Sequence, residues 1–241
     1  MNLRIESAAI DSLMVRLFDQ IDEANMPWLI AAAEQLREAF GAQLIDLVPS
    51  YTTLLLHYDL HALSEAEAIA LINSSLHNLQ PLANETGTLH AIPVWYNQSV
   101  GPELTSIAQR AGLSPEQVIE QHCSRDYPVF TLGFAPGFAY MGLVDEALAS
   151  ARLATPRQRV PKGSVGIAER QTAIYPLTSP GGWNLIGRCP LTLFSADHGS
   201  LLQPGDRVRF VSIDHAEFIR LGGDDTAMEA LSLIHISEPT R

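Results

Sequence analysis

The chain has 241 residues, 46% of them hydrophobic and 17% charged, and a formal net charge of −12. That composition belongs to a globular protein with one large core or two modest ones, and its charge argues against nucleic acid or an anionic membrane surface as partner. Cys123 and Cys189 form no disulfide framework, and no apolar run approaches the roughly 18 residues of a membrane span.

Residues 1–85 are predicted to repeat a ββα unit. Segments 3–10 and 13–18 read as strands across an Asp11-Ser12 turn. A helix over 26–40 follows, with Asn25 as N-cap, Gly41 past its end, and Leu29, Ala32, Leu36 and Phe40 on one face. The second unit pairs 43–48 with 52–58. It then opens a helix at Ser64, where Ser64 and Glu67 have the spacing of a capping box and Ile69, Ile72, Leu76 and Leu79 form the buried stripe. Two such units make a small sandwich with helices on one face of an antiparallel sheet. No catalytic constellation is visible in it.

Segment 81–87 reads as a linker. A strand at 89–96 leads into a helix over 103–112 with Pro102 at its first position. A second helix starts from Ser114, whose Pro-Glu-Gln sequel supplies a cap, a proline at N1 and a glutamine at N3. From Tyr127 onward, short strands at 127–132, 164–168, 171–175, 191–195 and 207–212 alternate with Gly/Pro turns, the pattern of a β-barrel or sandwich. Gln203-Pro204-Gly205-Asp206 reads as a hairpin turn. The expected class is α+β: a ββαββα sandwich over 1–85, then a β-barrel domain over 86–230.

The chemistry concentrates between 130 and 194. Arginine supplies 14 of the 15 cations and Lys162 is the single lysine. From 151 to 188, Arg152, Arg157, Arg159, Lys162, Arg170 and Arg188 face one anion, Glu169. Such a field can hold an anionic ligand by charge-assisted hydrogen bonds, or it can be a solvated loop paired with acids elsewhere. Pro161-Lys162-Gly163-Ser164 has the residue types of a phosphate loop in the wrong order. Gly163-Ser164-Val165-Gly166 is not a nucleophile elbow, and the histidines lack metal-ligand spacing, so no metal is expected.

Phe134, Phe138, Tyr140, Tyr175 and Trp183 can wall a pocket. The Gly-rich turns can offer N–H groups to a carbonyl or phosphate oxygen. Arg159, Lys162 and Arg188 can offset negative charge, and Gln171, Thr172 and Asn184 can orient an amide. The same aromatics can equally be barrel core and the same turns tight corners. The residues alone leave both readings open.

The ordered motifs are longer than chance allows. They comprise His122 with Tyr127 and Val129, Leu132-Gly-Phe-x-Pro-Gly-Phe138-x-Tyr140, Val160-Pro-x-Gly-Ser-Val-Gly-Ile-Ala168, Gln171-Thr-x-Ile-Tyr-Pro176 and Ser179-Pro-Gly-Gly-Trp183-x-Leu-Ile-Gly-Arg188. Together they closely resemble the family of the 5-oxoprolinase B subunit, which also includes the Kip-type sporulation-kinase inhibitor and allophanate hydrolase subunit 1. The resemblance implies a small N-terminal α/β domain followed by a cyclophilin-like β-barrel; the cytoplasm is expected because the N-terminus lacks a signal-peptide layout and no apolar run is long enough for a span. The resemblance also implies an enzyme subunit, inactive alone, that works with subunits C and A to open 5-oxoproline to L-glutamate. ATP is then a cosubstrate at a site shared with the partner, and no biotin sits on this chain.

On that resemblance Arg159 and Arg188 are anion contacts, and His122 and Tyr127 are polar groups at the rim. Gly133, Phe134, Pro136, Gly137 and Phe138 are expected as pocket wall together with Pro180, Gly181, Gly182 and Trp183. Gln171, Thr172 and Tyr175 are expected to face the amide substrate. The chain departs from the family at Lys162, where a small residue is common, and at Glu169 and Ala173, where glycine is frequent. The alternatives that the family carries are a regulator of a sensor histidine kinase and a carboxyltransferase-type subunit of a urea or allophanate system. Residues 231–241 resemble a translated sequencing adapter, and are expected to be non-native and poorly packed.

Overall fold

A computed structural model of the chain describes residues 3–82 and 87–228. The expected non-native tail and most of the expected linker lie outside the described residues. The first lobe runs β1 (Arg4–Ala9), β2 (Ser12–Arg16), α1 (Met26–Phe40), β3 (Leu44–Ser50), β4 (Thr53–Tyr58) and α2 (Glu65–Leu76). Its strands form an antiparallel sheet in the order β1-β2-β4-β3. Alternation drives the layering. Leu13 and Val15 of β2 and Leu54 and Leu56 of β4 are fully buried, in one core with Leu29, Leu36, Ile72 and Leu76 of the helices. Each such side chain contributes about 1.5–3 kcal/mol of burial.

Ser64 and Glu67 form the expected capping box. Asn25 does not cap α1: it is helical, makes no side-chain cap bond, and its Nδ2 donates to the Gln20 carbonyl at 2.8 Å. A 3-10 turn over Glu23–Asn25 precedes α1, so capping moves upstream to Asp22, which accepts from the Ala24 N–H at 2.9 Å.

The second lobe begins with β5 (Leu89–Val94), α3 (Leu104–Ala111), α4 (Pro115–Cys123), β6 (Asp126–Leu132) and β7 (Ala139–Gly142). It continues with β8 (Arg157–Val160), β9 (Ser164–Ala168), β10 (Gln171–Ile174), β11 (Ser179–Gly181) and β12 (Asn184–Arg188). β13 (Phe194–Ser195), β14 (Gly199–Ser200), β15 (Arg207–Ser212) and α5 (His215–Arg220) complete it. Seven strands share one sheet in the order β12-β9-β10-β7-β6-β15-β5. Trp95, just past β5, bridges Arg188 of β12 through two backbone bonds of 2.9 Å. That bridge brings the two edges together, so the sheet nearly closes into a barrel.

Ser114 and Gln117 cap α4 as expected. Pro102 lies ahead of α3 rather than in its first turn, with Glu103 in the N-cap position. The 203–206 turn forms, with Gly205 at φ +92°, but it makes no hairpin. β15 enters between β6, antiparallel, and β5, parallel, instead of folding back on β14.

The lobes are packed together. Phe130 of β6 sits in the core of the first lobe, 5.3 Å from the Tyr51 ring. The Glu23 carboxylate accepts from the Leu143 N–H and pairs with Arg125 at 2.9 Å. Among the described residues no helix is long and apolar enough to cross a membrane.

Candidate functional site

Arg188 ends β12 at the barrel seam and lines a cavity of about 750 Å³ together with Arg157, Arg159, Lys162 and the 222–228 segment. Its side chain is buried, 1% exposed. Nη1 donates to the carbonyls of Asp224 and Thr226 at 2.7 and 2.8 Å. Nε and Nη2 have no partner among the described residues. Burial lowers its pKa, with Asp224 and Asp225 opposing, but a guanidinium keeps its charge.

Arg157 lines the same cavity in another state. It is buried, yet Glu103 neutralises it, and the second oxygen of Glu103 accepts the Leu185 N–H at 2.9 Å. Arg159 is exposed, and Lys162 donates to Thr192 Oγ1 at 3.1 Å. The turn carrying Lys162 is drawn in by Gly163, at φ +82°, where a Cβ would stand 2.3 Å from the Cys189 carbonyl oxygen. Only glycine permits that approach.

The expected site residues do not share one cleft. Arg159 and Arg188 meet in this cavity. His122 and Tyr127, expected at a rim, are fully buried in the barrel. Thr172 donates to the Gly166 carbonyl at 3.3 Å and so accepts from His122 Nε2 at 2.9 Å. His122 Nδ1 then accepts from the Tyr96 hydroxyl at 2.7 Å, which in turn accepts from Cys123 Sγ at 3.5 Å. Tyr127 donates to the His122 carbonyl at 3.0 Å. Phe210 stacks on the imidazole at 4.4 Å between centroids, and burial pushes the His122 pKa down to about 3. The ring is neutral and both nitrogens are used, so His122 and Thr172 are structural.

The aromatics divide likewise. Phe138, Tyr175 and Trp183 form buried core, edge to face at 5.4 and 5.7 Å. Phe134 is 63% exposed with φ +68°. Pro136 is exposed, while Gly137 lies beneath Phe194. Gly181 packs on the Tyr175 hydroxyl and Gly182 faces Pro156, with Pro180 exposed beside them. Asn184 ties loop to sheet through the carbonyls of Ala151 at 2.8 Å and Ile167 at 3.2 Å.

Gly133 and Gln171 line a second cavity, of about 610 Å³, between the lobes. It also takes Met14, Tyr51 and Leu55 from the first lobe and Tyr140 and Arg152 from the second. Sequence reasoning singled out nothing at this site in 1–85. Arg152 carried a signal, as part of the positive segment.

A closing barrel behind a small α/β lobe, with cations gathered at its seam, defines a class. The carboxyltransferase domain, subdomain C and D, matches residues 3–202, and the chain belongs to that family. The chain is 34% identical over 227 residues to the 5-oxoprolinase B subunit of Bacillus subtilis (strain 168), covering 89% of this chain and 95% of that protein. It is 52% identical over 122 residues to the 5-oxoprolinase B subunit of Escherichia coli O157:H7, covering 50% and 56%. The kinship read from the motifs is therefore shown. Among solved structures, TTHA0988 superposes with a TM-score of 0.73 at 37% identity; the match covers 84% of this chain but 40% of that one. The urea carboxylase of Kluyveromyces lactis shares the fold alone, with a TM-score of 0.73 at 16% identity over 93% of this chain and 23% of that one.

Proposed function

We propose that the chain is a subunit of an ATP-dependent 5-oxoprolinase, opening 5-oxoproline to L-glutamate together with subunits C and A in the cytoplasm. The names of its relatives support the reaction. One observation supports a role for this chain in it: Arg188 is buried with two donors that have no partner among the described residues, in a cavity shared with Arg159 and Lys162. An orphaned buried donor costs about 1–3 kcal/mol, a cost relieved when an oxyanion docks.

The chemistry asks for such a feature. A lactam is a poor electrophile, and ATP supplies the phosphoryl group that makes its carbonyl oxygen a leaving group. The residues of this chain would hold the negative charge that accumulates, with donors fixed in advance in a desolvated setting. Arg188 is the fixed donor, backed by two carbonyls, while Arg159 and Lys162 face outward, where a partner subunit would complete the enclosure. On that division the isolated chain is expected to be inactive.

The test is coexpression with subunits C and A and an assay of glutamate release from 5-oxoproline with ATP. Arg159→Ala and Arg188→Lys are expected to lower turnover of the assembly by about 100-fold, the usual effect of losing one preorganised donor. Normal turnover in both would remove the anion role. No ATP-dependent release by the unaltered assembly would overturn the reaction. Kinase binding without ATPase activity would favour the regulator instead, and dependence on a biotin carrier the urea-type system.

A further inference from the structure

We infer that Asp224 is a positioning residue of the seam cavity: its carboxylate folds the segment after α5 into a strap that holds the Arg188 guanidinium ready for an anion. The inference rests on the anion role proposed above for Arg188. The strap, residues 222–228, lies past residue 202, where the family match ends.

Packing fixes the strap at both ends. At its start, Gly222 takes φ +83° and donates to the Ile219 carbonyl at 2.9 Å, and Gly223 donates to the Phe218 carbonyl at 2.9 Å. A Cβ on Gly223 would stand 2.4 Å from the Phe218 ring, so only glycine lets the chain leave α5 this tightly. Phe218 is fully buried, and its ring and that of His215 lie 5.2 and 4.7 Å from the Trp95 ring. Trp95 is the residue whose main chain pairs with Arg188 across the seam. At the far end, the Met228 N–H donates to the Ser99 carbonyl at 2.7 Å, and the Met228 side chain packs against the core of Phe138, Tyr175 and Trp183.

Between these anchors the two aspartates divide the work. Asp225 stays out of the cavity lining and pairs with His215 at 2.9 Å. Asp224 lines the cavity, and its Oδ1 accepts from the Thr226 N–H at 2.9 Å. That side-chain turn bends the strap, and the carbonyls of Asp224 and Thr226 converge on one atom, Arg188 Nη1. Among the described residues these two carbonyls are the only hydrogen-bond partners of the Arg188 side chain. A long guanidinium side chain loses rotamer freedom when a ligand orders it, and a strap that orders it beforehand removes that penalty from binding. A carboxylate beside an anion site repels the ligand. Its hold on the Thr226 N–H gives Asp224 a use there that does not depend on its charge.

The probe is inorganic phosphate, titrated calorimetrically into the full chain as wild type, Asp224→Asn and Asp224→Ala. Both substitutions remove the charge, but only alanine removes the acceptor. Asp224→Asn is expected to bind phosphate at least as tightly as the wild type. Asp224→Ala should bind about tenfold more weakly than Asp224→Asn, the effect of losing one hydrogen bond. Exchange of the Arg188 Nε–H with water, followed by NMR, should be at least about tenfold faster in Asp224→Ala than in Asp224→Asn, because the pinned side chain is released. Equal affinity in the two variants, tighter binding in Asp224→Ala, equal Nε–H exchange, or a wild type that binds no phosphate would overturn the inference. The same split between the variants in an assembly with subunits C and A that releases no glutamate would sink the proposed reaction and leave the strap standing. Glutamate release by an assembly in which both variants bind phosphate equally would do the reverse.

Discussion

The barrel interior and the barrel seam both bury polar side chains, and they treat them in opposite ways. Inside, Cys123, Tyr96, His122, Thr172 and the Gly166 carbonyl form one unbroken donor–acceptor line. At the seam, Arg188 is as deeply buried but leaves two donors without partners among the described residues, while Arg157 beside it is neutralised by Glu103. Burial therefore does not separate scaffold from site. Between His122 and Arg188, satisfaction does: a buried group with every bond made has nothing left to offer a ligand, and one with bonds missing can recover part of that cost when something docks.

The strongest attack on this contrast is His122→Ala. It removes a stacked ring and strands Tyr96 and Thr172, so unfolding in urea should show a loss of about 3–5 kcal/mol. Acid probes the same line more gently. The folded pKa of His122 is depressed to about 3, against about 6.5 in the unfolded chain. Above pH 6.5 neither state binds the proton and its contribution is intact. As the pH falls from there toward 3, only the unfolded state takes it up, and stability declines by up to about 1.4 kcal/mol per pH unit. In His122→Gln that part of the slope should vanish; equal slopes would mean that the imidazole is not buried neutral.

At the seam the expected effect is smaller. Arg188→Met gives up two bonds to carbonyls but also two orphaned donors, so stability should change by about 1 kcal/mol or less. Inorganic phosphate should raise the melting temperature of the wild type, as ligands of the native state do, and not that of Arg188→Met. A loss of stability in Arg188→Met matching that of His122→Ala would erase the distinction. Smallest of all, Arg159→Ala should alter stability by under about 0.5 kcal/mol, as exposed substitutions do.

Local signals carried far in the sequence. The boxes at Ser64 and Ser114 each lie within one helical turn of chain, and so could be read directly. Strands β7, β8, β11 and β12 were not anticipated: at three to five residues alternation alone does not mark a strand, and the equally short β9 and β10 stood out by their β-branched residues. Arg159 and Arg188 could be grouped in advance because both lie in the positive segment, and one cavity takes both in its lining. His122 and Tyr127 were misplaced because a polar side chain does not announce whether its partners are water or protein. The inter-lobe cleft was invisible for a third reason: Tyr51 and Arg152 stand about a hundred positions apart, and only the packing of one lobe on the other makes them neighbours.

Phe130 belongs by position to a barrel strand and by its surroundings to the other lobe, whose core it completes. The two halves are thus not interchangeable modules. Severed at the connecting segment, the leading half would carry an unfilled hole where that ring belongs, and the trailing half would hold out a bare aromatic to solvent. Any scheme that shuffles or transplants the barrel must bring the small lobe with it.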